Sequence, residues 1–203
     1  MSGAPGGTAL QSVCVFCGSS VGRHPEYAVA ARRLGAVLAL RGVRVVYGGG
    51  RVGLMGALAD AALESGGNVV GVIPEALRTS ELAHDRLSDL RVVSSMHERK
   101  ALMAELSDAF VALPGGYGTL DELFEVVTCA QLGIHRKPIA LLDAAGYFEP
   151  LAAMLDRAVE EGFLSPEHRA LIMCANTPEA LLGCLQTHHQ AAVAERQAAG
   201  EAG

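Results

Sequence analysis

The feature of this sequence that most constrains its fold is an alternation between short β-branched apolar runs and longer stretches with helical spacing. The alternation continues from residue 11 to residue 185 without a repeat, a charge block or a linker. This pattern is typical of parallel βαβ units, and runs that are apolar throughout indicate strands covered on both faces. A chain of 203 residues is also long enough to bury one sizeable core. The sequence therefore predicts a single-domain α/β protein, residues 1–203, with a mostly parallel sheet and helices on both faces.

The pattern predicts six strands and six helices. The strands are Ser12–Cys17, Val43–Tyr47, Asn68–Ile73, Leu90–Val93, Ala109–Leu113 and Pro138–Leu142. The helices are Pro25–Arg41, Leu54–Ser65, Met96–Ser107, Leu120–Leu132, Phe148–Glu161 and Thr177–Leu185. We expect an ordered core over residues 11–185 and flexible ends at residues 1–10 and 186–203, because the ends are rich in Gly or Ala and have few apolar anchors. His188 and His189 are accordingly expected to be solvated.

Composition and charge exclude several classes of partner. The net charge is −6, whereas nucleic-acid and anionic-membrane surfaces depend on clustered Lys and Arg. No apolar run reaches the roughly 20 residues that a membrane span needs, and residues 1–10 lack the blocks of a secretory signal. Five cysteines without regular spacing indicate reduced thiols, so we expect a cytoplasmic protein with no nucleic-acid or membrane partner. Cys14 and Cys17 form a C-x-x-C, but their place in an apolar run favours a buried strand over a redox site.

Three strand-to-helix turns are rich in glycine. They are Cys17–Ser20, Gly48–Gly56 and Pro114–Thr119, after the first, second and fifth strands. Ligands of open parallel sheets bind at the carboxyl ends of the strands, and glycines let several backbone amides approach one anion. Ordinary tight turns are the alternative, but three such turns at one edge of the sheet favour a phosphate site. Its candidate residues are Gly18, Ser19, Gly49, Gly115, Gly116, Tyr117, Gly118 and Thr119.

Other nucleotide motifs are not supported. Gly48, Gly50 and Gly53 satisfy G-x-G-x-x-G, but the match follows the second strand, and no acidic residue precedes Glu75 at the end of the next strand. Dinucleotide binding is therefore not predicted. A Walker A motif is absent, and the histidines and cysteines do not have the spacing of metal ligands, so no metal site is predicted.

The segment Ser95–Lys100 combines a helix start with two cations. Ser95 and Glu98 have the spacing of a capping box. Arg99 and Lys100 then fall in the first turns, where cations oppose the helix macrodipole. An anion held nearby explains this placement better than helix stability does, with a solvated helix surface as the alternative.

Glu122 has two possible roles. Thr119 and Glu122 are spaced as a capping box for the following helix, and on spacing alone capping is favoured. A carboxylate in the first turn of a helix that faces a phosphate loop also lies within reach of the sugar that the phosphate carries. Both roles stay open at this point.

Together these motifs are specific enough to resemble one family. Pro114–Glu122 matches the pattern P-G-G-x-G-T-x-x-E. With Met96–Lys100 and Gly48–Gly56, it resembles the LOG ("lonely guy") family of cytokinin riboside 5′-monophosphate phosphoribohydrolases. The likeness runs from Val13 to Leu164. It implies a Rossmann-like, doubly wound fold, a homodimer, no cofactor, and hydrolysis of an N6-substituted adenosine monophosphate to the free base and ribose 5-phosphate.

The resemblance also implies roles for individual residues. Arg99 and Glu122 take the catalytic positions, Gly116–Thr119 take the phosphate-binding loop, and Lys100, Glu81 and Thr128 take further substrate contacts. The chain departs from the family at Cys129, where the family commonly has Trp, a change that affects subunit packing or pocket shape. Members of the family have often been labelled lysine decarboxylases, but no feature of this sequence separately supports decarboxylation.

The resulting hypothesis is hydrolysis of the bond between C1′ and the base, with adenosine monophosphate itself as a further substrate. Cleavage builds positive charge on the ribose, which a carboxylate at Glu122 stabilises in the transition state. Arg99 holds the substrate and fixes Glu122 by a charge-assisted contact that favours its ionised form. Two alternatives stay open: a non-catalytic nucleotide-binding or sensing module, and an N-glycosidase for other nucleoside monophosphates.

Overall fold

A computed structural model describes residues 9–78, 83–87, 89–198 and 200. The β-branched runs form strands β1 Ser12–Phe16, β2 Arg44–Tyr47, β3 Val69–Pro74, β4 Asp89–Val93, β5 Ala109–Ala112, β6 Ile139–Leu142 and β7 Ile172–Ala175. The stretches with helical spacing form α1 Pro25–Leu40, α2 Gly53–Glu64, α3 Met96–Glu105, α4 Tyr117–Gln131, α5 Glu149–Glu160, α6 Pro166–Arg169 and α7 Pro178–Ala198. A 3₁₀ turn, Glu75–Leu77, follows β3.

The strands form one sheet in the order β4-β3-β2-β1-β5-β6-β7, and every neighbouring pair is parallel. The predicted single-domain, doubly wound α/β fold is therefore confirmed. Chain order reverses at β1, whose neighbours are β2 on one side and β5 on the other. In such sheets a crevice opens at the carboxyl ends of the strands where the order reverses. The turns that follow β1 and β5 lie side by side at this point.

Both faces of the sheet are covered, as its apolar strands require. One face carries Val13 and packs against the leucines of α1, α2 and α7. Leu10 is buried on this face, although the sequence predicts a flexible segment there. The opposite face packs against Met103 of α3, Leu123 of α4 and Leu151 of α5.

The C-x-x-C pair belongs to the core rather than to a redox site. Cys14 packs on the α3–α5 face of β1, and Cys17 packs on the α1–α2 face beyond its end. Both thiols are free and buried, and burial raises the pKa of each. The predicted buried strand is confirmed.

Two short elements, β7 and α6, are not predicted by the sequence. The strand β7 has four residues at the edge of the sheet and is only partly buried, so it lacks the continuous apolar run of the inner strands. The helix α6 is a single turn that begins after Ser165, whose hydroxyl accepts a hydrogen bond from His168 N at 3.2 Å. One turn is too short to display helical spacing.

The predicted end of the last helix is wrong. The helix α7 does not end at Leu185 but continues through Ala198. Ala, Gln, Glu and Arg are good helix formers, and Leu181, Leu185 and His189 form a buried stripe at four-residue spacing. His189 is therefore buried, and burial lowers its pKa, whereas His188 is exposed as expected.

Candidate active site

Backbone hydrogen bonds join the glycine-rich turns that follow β1, β2 and β5. Gly18 N donates to Pro114 O at 3.0 Å, and Leu54 N donates to Gly18 O at 3.0 Å. Glycine allows these turns to approach closely, because a Cβ on Gly53 would lie 2.2 Å from Ser19 C and a Cβ on Gly115 would lie 2.9 Å from Gly18 N. The turn after β1 is thus held between the other two.

The helix α4 begins three residues earlier than the sequence predicts, at Tyr117 instead of Leu120. Its N-cap is Gly116, which makes no side-chain cap hydrogen bond. The capping-box prediction for Thr119 and Glu122 is therefore wrong, because both residues lie inside the helix. An uncapped helix start leaves backbone N–H groups available to an anion, and the Glu122 side chain is available for another role.

Packing within the described chain does not explain why positions 116 and 118 are glycine. A Cβ built on either residue would meet no atom of the described part of the chain within 4 Å. Gly116 has φ −95° and Gly118 lies in α4, so neither adopts a conformation that only glycine favours. The open space in front of them is what a ligand held by the amides of this turn requires.

A cavity of about 440 Å³ opens between these turns and the first turn of α3. Eight of the residues predicted for the site line this cavity: Gly18, Ser19, Arg99, Gly116, Tyr117, Gly118, Thr119 and Glu122. It also contains residues that the sequence did not single out as contacts: Gly48, Gly50, Met55, Leu77, Met96 and Asp121. Asp121 and Met96 lie within the two motifs, whereas no local signal separates Met55 or Leu77 from core residues.

Arg99 reaches the cavity from the first turn of α3. That helix begins at Met96, as predicted, with the hydroxyl of Ser95 accepting from Glu98 N at 3.1 Å. The Arg99 guanidinium donates through Nε to Val72 O at 3.0 Å and through Nη2 to Gly48 O at 3.1 Å. A Cβ on Gly48 would lie 1.9 Å from Nη2, so glycine at this position allows the guanidinium to lie against the end of β2.

Glu122 lies next to Arg99 at the bottom of the cavity. Its Oε1 is 3.7 Å from Arg99 Nη1, and the two side chains are 10% and 12% exposed. Burial raises the pKa of Glu122 from its ordinary 4.5 to about 7, although the Arg99 guanidinium by itself lowers it. Arg99 thus acts in the direction that the sequence predicts, but loss of water outweighs it, and the carboxyl titrates near neutrality.

Lys100 does not line the cavity. Its Nζ lies 3.0 Å from Asp121 Oδ2 and also contacts Glu125 Oε2, and these hydrogen bonds raise the pKa of Lys100. Asp121 and Glu125 are one helical turn apart on α4, on either side of Glu122 in sequence. The anions near Arg99 and Lys100 are therefore carboxylates of α4, and the structure does not support a substrate contact for Lys100.

Three further predicted contacts, Thr128, Gly49 and Gly115, do not line the cavity, and Gly115 borders a neighbouring depression instead. Thr128 is exposed six residues beyond Glu122, and its hydroxyl donates to Phe124 O at 2.7 Å. Gly49 is buried below the cavity, and its carbonyl accepts from His84 N at 3.0 Å. Glu81 lies outside the described residues.

A second cavity, of about 480 Å³, lies at the carboxyl ends of β6 and β7. Its charged side chains include Glu26, Asp143 and Glu149, together with Arg33, whose guanidinium pairs with Glu179 at 2.9 Å. It contains none of the predicted site residues and lies away from the strands where chain order reverses. We therefore assign the candidate active site to the cavity that contains Arg99 and Glu122.

The described residues contain neither a membrane-spanning helix nor a cluster of metal ligands. Within residues 9–78, 83–87, 89–198 and 200, no helix is long and apolar enough to cross a membrane. The same part of the chain contains no group of three or more His, Cys, Asp or Glu side chains that could hold a metal ion. All five cysteines are free thiols.

Known proteins resemble the chain over most of its length. Residues 55–185 match the model of a family described as "Possible lysine decarboxylase". The chain is 54% identical over 179 residues to the probable cytokinin riboside 5′-monophosphate phosphoribohydrolase LOGL5 of Oryza sativa subsp. japonica, covering 88% of this chain and 73% of that relative. It is 50% identical over 179 residues to the cytokinin riboside 5′-monophosphate phosphoribohydrolase LOG3 of Arabidopsis thaliana, covering 88% and 83%.

Solved structures also resemble the fold. The molybdenum cofactor binding protein of the phototrophic bacterium Rippkaea orientalis superimposes with a TM-score of 0.67 over 87% of this chain and 96% of that chain. The two sequences are 21% identical. At that identity the likeness describes the fold alone.

Proposed function

The chain belongs to the LOG family of cytokinin riboside 5′-monophosphate phosphoribohydrolases, and from that membership we propose that it is a nucleoside 5′-monophosphate phosphoribohydrolase. Its substrate is an N6-substituted adenosine 5′-monophosphate, with adenosine monophosphate itself as a further substrate. Water cleaves the N-glycosidic bond, and the products are the free base and ribose 5-phosphate.

The observation that carries this proposal is the position of Glu122. Its carboxylate is buried in the same cavity as the uncapped start of α4, four residues after the open glycine Gly118 and six after Gly116. A phosphate held at that helix start places its ribose, and so C1′, within a few ångströms of the carboxylate.

Glu122 carries the chemistry of the bond that breaks. As the bond between C1′ and the base lengthens, positive charge builds on the ribose, and an ionised carboxylate stabilises that charge in the transition state more than in the ground state. The carboxylate also accepts a proton from the attacking water, whose oxygen bonds to C1′. The electron pair of the broken bond leaves with the base, which takes up a proton.

Arg99 is the second residue to which we assign a catalytic role. Its guanidinium is fixed by the carbonyls of Val72 and Gly48, so it holds one orientation beside Glu122. A fixed cation at 3.7 Å keeps part of the Glu122 population ionised at neutral pH despite burial. It also attracts the anionic substrate into the cavity.

The start of α4 and the turn after β1 form the proposed phosphate site. The groups are the backbone amides of Gly116–Thr119 together with Gly18 and Ser19, which line the same cavity. Amides at a helix start bind phosphate because they are unpaired and lie at the positive end of the helix dipole. The phosphate supplies binding energy away from the reacting bond, so its removal lowers turnover as well as affinity.

The description of the matching family as a possible lysine decarboxylase finds no support in the described residues. A pyridoxal enzyme needs a lysine free to form a Schiff base. Lys100 pairs with Asp121 and Glu125. Lys137 precedes β6 at the amino ends of the strands, away from the cavity, and its Nζ donates to Ala104 O at 2.8 Å. We propose no decarboxylation.

We further propose that the protein is a cytoplasmic homodimer. Met96 of α3, Phe124 of α4 and Ile134 beyond α4 are large apolar side chains that the single chain leaves exposed. Exposed apolar groups of this kind are common in subunit interfaces, and Cys129, where the family commonly has Trp, lies on the same helix as Phe124. The five free thiols fit a reducing compartment. Light scattering after gel filtration tests the dimer.

One experiment separates the proposed reaction from its alternatives. The purified protein is incubated with isopentenyladenosine monophosphate, adenosine monophosphate and their dephosphorylated forms, and the products are separated by chromatography. We expect free base and ribose 5-phosphate from the monophosphates and little turnover of the nucleosides. Binding without base release would support the non-catalytic module, and base release from pyrimidine monophosphates at equal rate would support a broader N-glycosidase.

A further inference from the structure

We propose that Tyr147 is a positioning residue for phosphate recognition, which holds the Gly115 carbonyl and thereby aims the amide of Gly116 into the catalytic cavity. The proposal rests on the proposed function, because it concerns the same phosphate-binding turn. The phenol of Tyr147 donates a hydrogen bond to the carbonyl oxygen of Gly115, 32 residues earlier in the chain. This bond joins the turn after β6 to the turn after β5.

The direction of that hydrogen bond decides where the next amide points. The Gly115 carbonyl and the Gly116 N–H belong to one planar trans peptide, so they point in opposite directions. Tyr147 lines a depression that does not include Glu122, Glu122 lines the cavity that does not include Tyr147, and Gly116 borders both. A bond that fixes the carbonyl on the Tyr147 side therefore directs the N–H toward the cavity that contains Glu122.

Packing constrains this peptide only at Gly115, where a Cβ would lie 2.1 Å from Thr119 Oγ1. A Cβ on Gly116 would meet no atom of the described residues within 4 Å, and Gly116 makes no side-chain cap for α4. A peptide between two glycines, Gly115 and Gly116, changes orientation more easily than one between larger residues. An external hydrogen bond is what selects one orientation.

The turn that carries Tyr147 is itself held firmly. Ala145 has φ 54°, a left-handed conformation that is strained for a residue with a Cβ. The carboxylate of Asp143 accepts a hydrogen bond from Phe148 N at 2.8 Å, and the Tyr147 ring meets Tyr27 edge to face at 5.7 Å between centroids. These contacts hold the turn so that Tyr147, which is 37% exposed to solvent, directs its hydroxyl at the phosphate-binding turn.

The test compares Tyr147→Phe with Tyr27→Phe. The first change keeps the ring and removes only the hydroxyl, whereas the Tyr27 hydroxyl on the neighbouring ring has no hydrogen bond to any described residue. Calorimetry gives the Kd of ribose 5-phosphate, and steady-state kinetics with adenosine monophosphate gives KM and kcat. We expect Tyr147→Phe to weaken ribose 5-phosphate binding about tenfold, the effect of one hydrogen bond near a charged group, and to raise KM more than it lowers kcat.

The Tyr27→Phe control and the binding of ribose 5-phosphate, which does not depend on catalysis, distinguish the remaining outcomes. We expect Tyr27→Phe to behave as wild type. Unchanged ribose 5-phosphate binding in Tyr147→Phe, or equal weakening in both variants, overturns the positioning role even if the wild type cleaves nucleotides. If the wild type releases no base but Tyr147→Phe alone still weakens ribose 5-phosphate binding, the proposed reaction fails and the positioning role stands. A wild type that does not bind ribose 5-phosphate overturns the positioning role, and base release from the monophosphates decides the proposed reaction separately.

Discussion

Arg99 Nη1 lies 3.7 Å from Glu122 Oε1, and the two side chains are almost completely removed from water. An ion pair at the surface would lower the pKa of the carboxyl, but burial here outweighs the guanidinium and raises it to about 7. A carboxyl balanced between its two forms near neutrality accepts and returns protons readily, as general acid–base catalysis requires. Stability, pH dependence and catalysis are therefore expected to depend together on this side chain.

The stability of the protein should vary with pH through Glu122. The carboxyl has an ordinary pKa of 4.5 when unfolded and about 7 when folded, so the folded state holds an extra proton between these values. This contribution to the free energy of unfolding is present in full below pH 4.5 and is lost as pH rises through about 7. Glu122→Gln removes this pH dependence. The free energy of unfolding of the variant should therefore rise relative to that of wild type by up to about 3 kcal/mol across that window. Urea unfolding at several pH values measures the free energy of unfolding of both proteins. The difference between them should change between pH 4.5 and about 7, and a constant difference would contradict the prediction.

Lys100→Gln should shift the pH–activity profile. Without the lysine, the charges of Asp121 and Glu125 are no longer balanced, and both raise the pKa of Glu122. If the ionised carboxylate is the reactive form, the acidic midpoint of kcat should move upward by about half a pH unit or more, with near-normal kcat on the alkaline side. A uniform loss of kcat at an unshifted midpoint would instead indicate that Lys100 contacts the substrate directly.

Gly48→Ala should disable Arg99 with little loss of stability. The new Cβ would lie 1.9 Å from Arg99 Nη2, at the far end of a side chain, so the guanidinium is displaced from its carbonyl partners while the backbone stays in place. We expect kcat to fall by at least about tenfold while the free energy of unfolding changes by less than about 1 kcal/mol. Gly183→Ala, where a Cβ would meet nothing within 4 Å, is the matched control. Normal kcat in Gly48→Ala would show that the position of Arg99 is not critical.

Two neighbouring glycines should respond in opposite ways to alanine. At Gly116 the new methyl enters open space, so stability should change by less than about 0.5 kcal/mol while ribose 5-phosphate binding weakens by more than about tenfold. At Gly115 it would lie 2.1 Å from Thr119 Oγ1, so we expect roughly 2 kcal/mol of destabilisation. Thermal unfolding and calorimetry on both variants measure the two effects. Unimpaired ribose 5-phosphate binding in Gly116→Ala would place the phosphate elsewhere.

The sequence predicted the parts of the site that local spacing encodes. The run of apolar strands requires a parallel sheet covered on both faces, and the glycine-rich turns after β1 and β5 lie together because both follow strands at the reversal of chain order. Arg99 was identified because it follows a helix start marked by Ser95, which the structure confirms. Glu122 was identified through the motif.

The parts that the sequence did not predict depend on contacts between distant elements. Lys100 pairs with Asp121 and Glu125, but nothing in the spacing within α3 indicates which face of α4 it meets. The start of α4 was misplaced because Gly116 provides no side-chain cap, and the Thr119–Glu122 spacing imitates one. Tyr147 contacts a backbone carbonyl 32 residues away, a partner that no local pattern reveals.

The most direct test of the central claim is base release by Glu122→Gln. The amide keeps the size of the side chain but can neither ionise nor accept a proton from water. We expect ribose 5-phosphate binding within about threefold of wild type and release of adenine from adenosine monophosphate reduced by at least about 10³, while Glu105→Gln, on the exposed end of α3, remains fully active. Chromatographic detection of adenine at a near wild-type rate from Glu122→Gln would contradict the account.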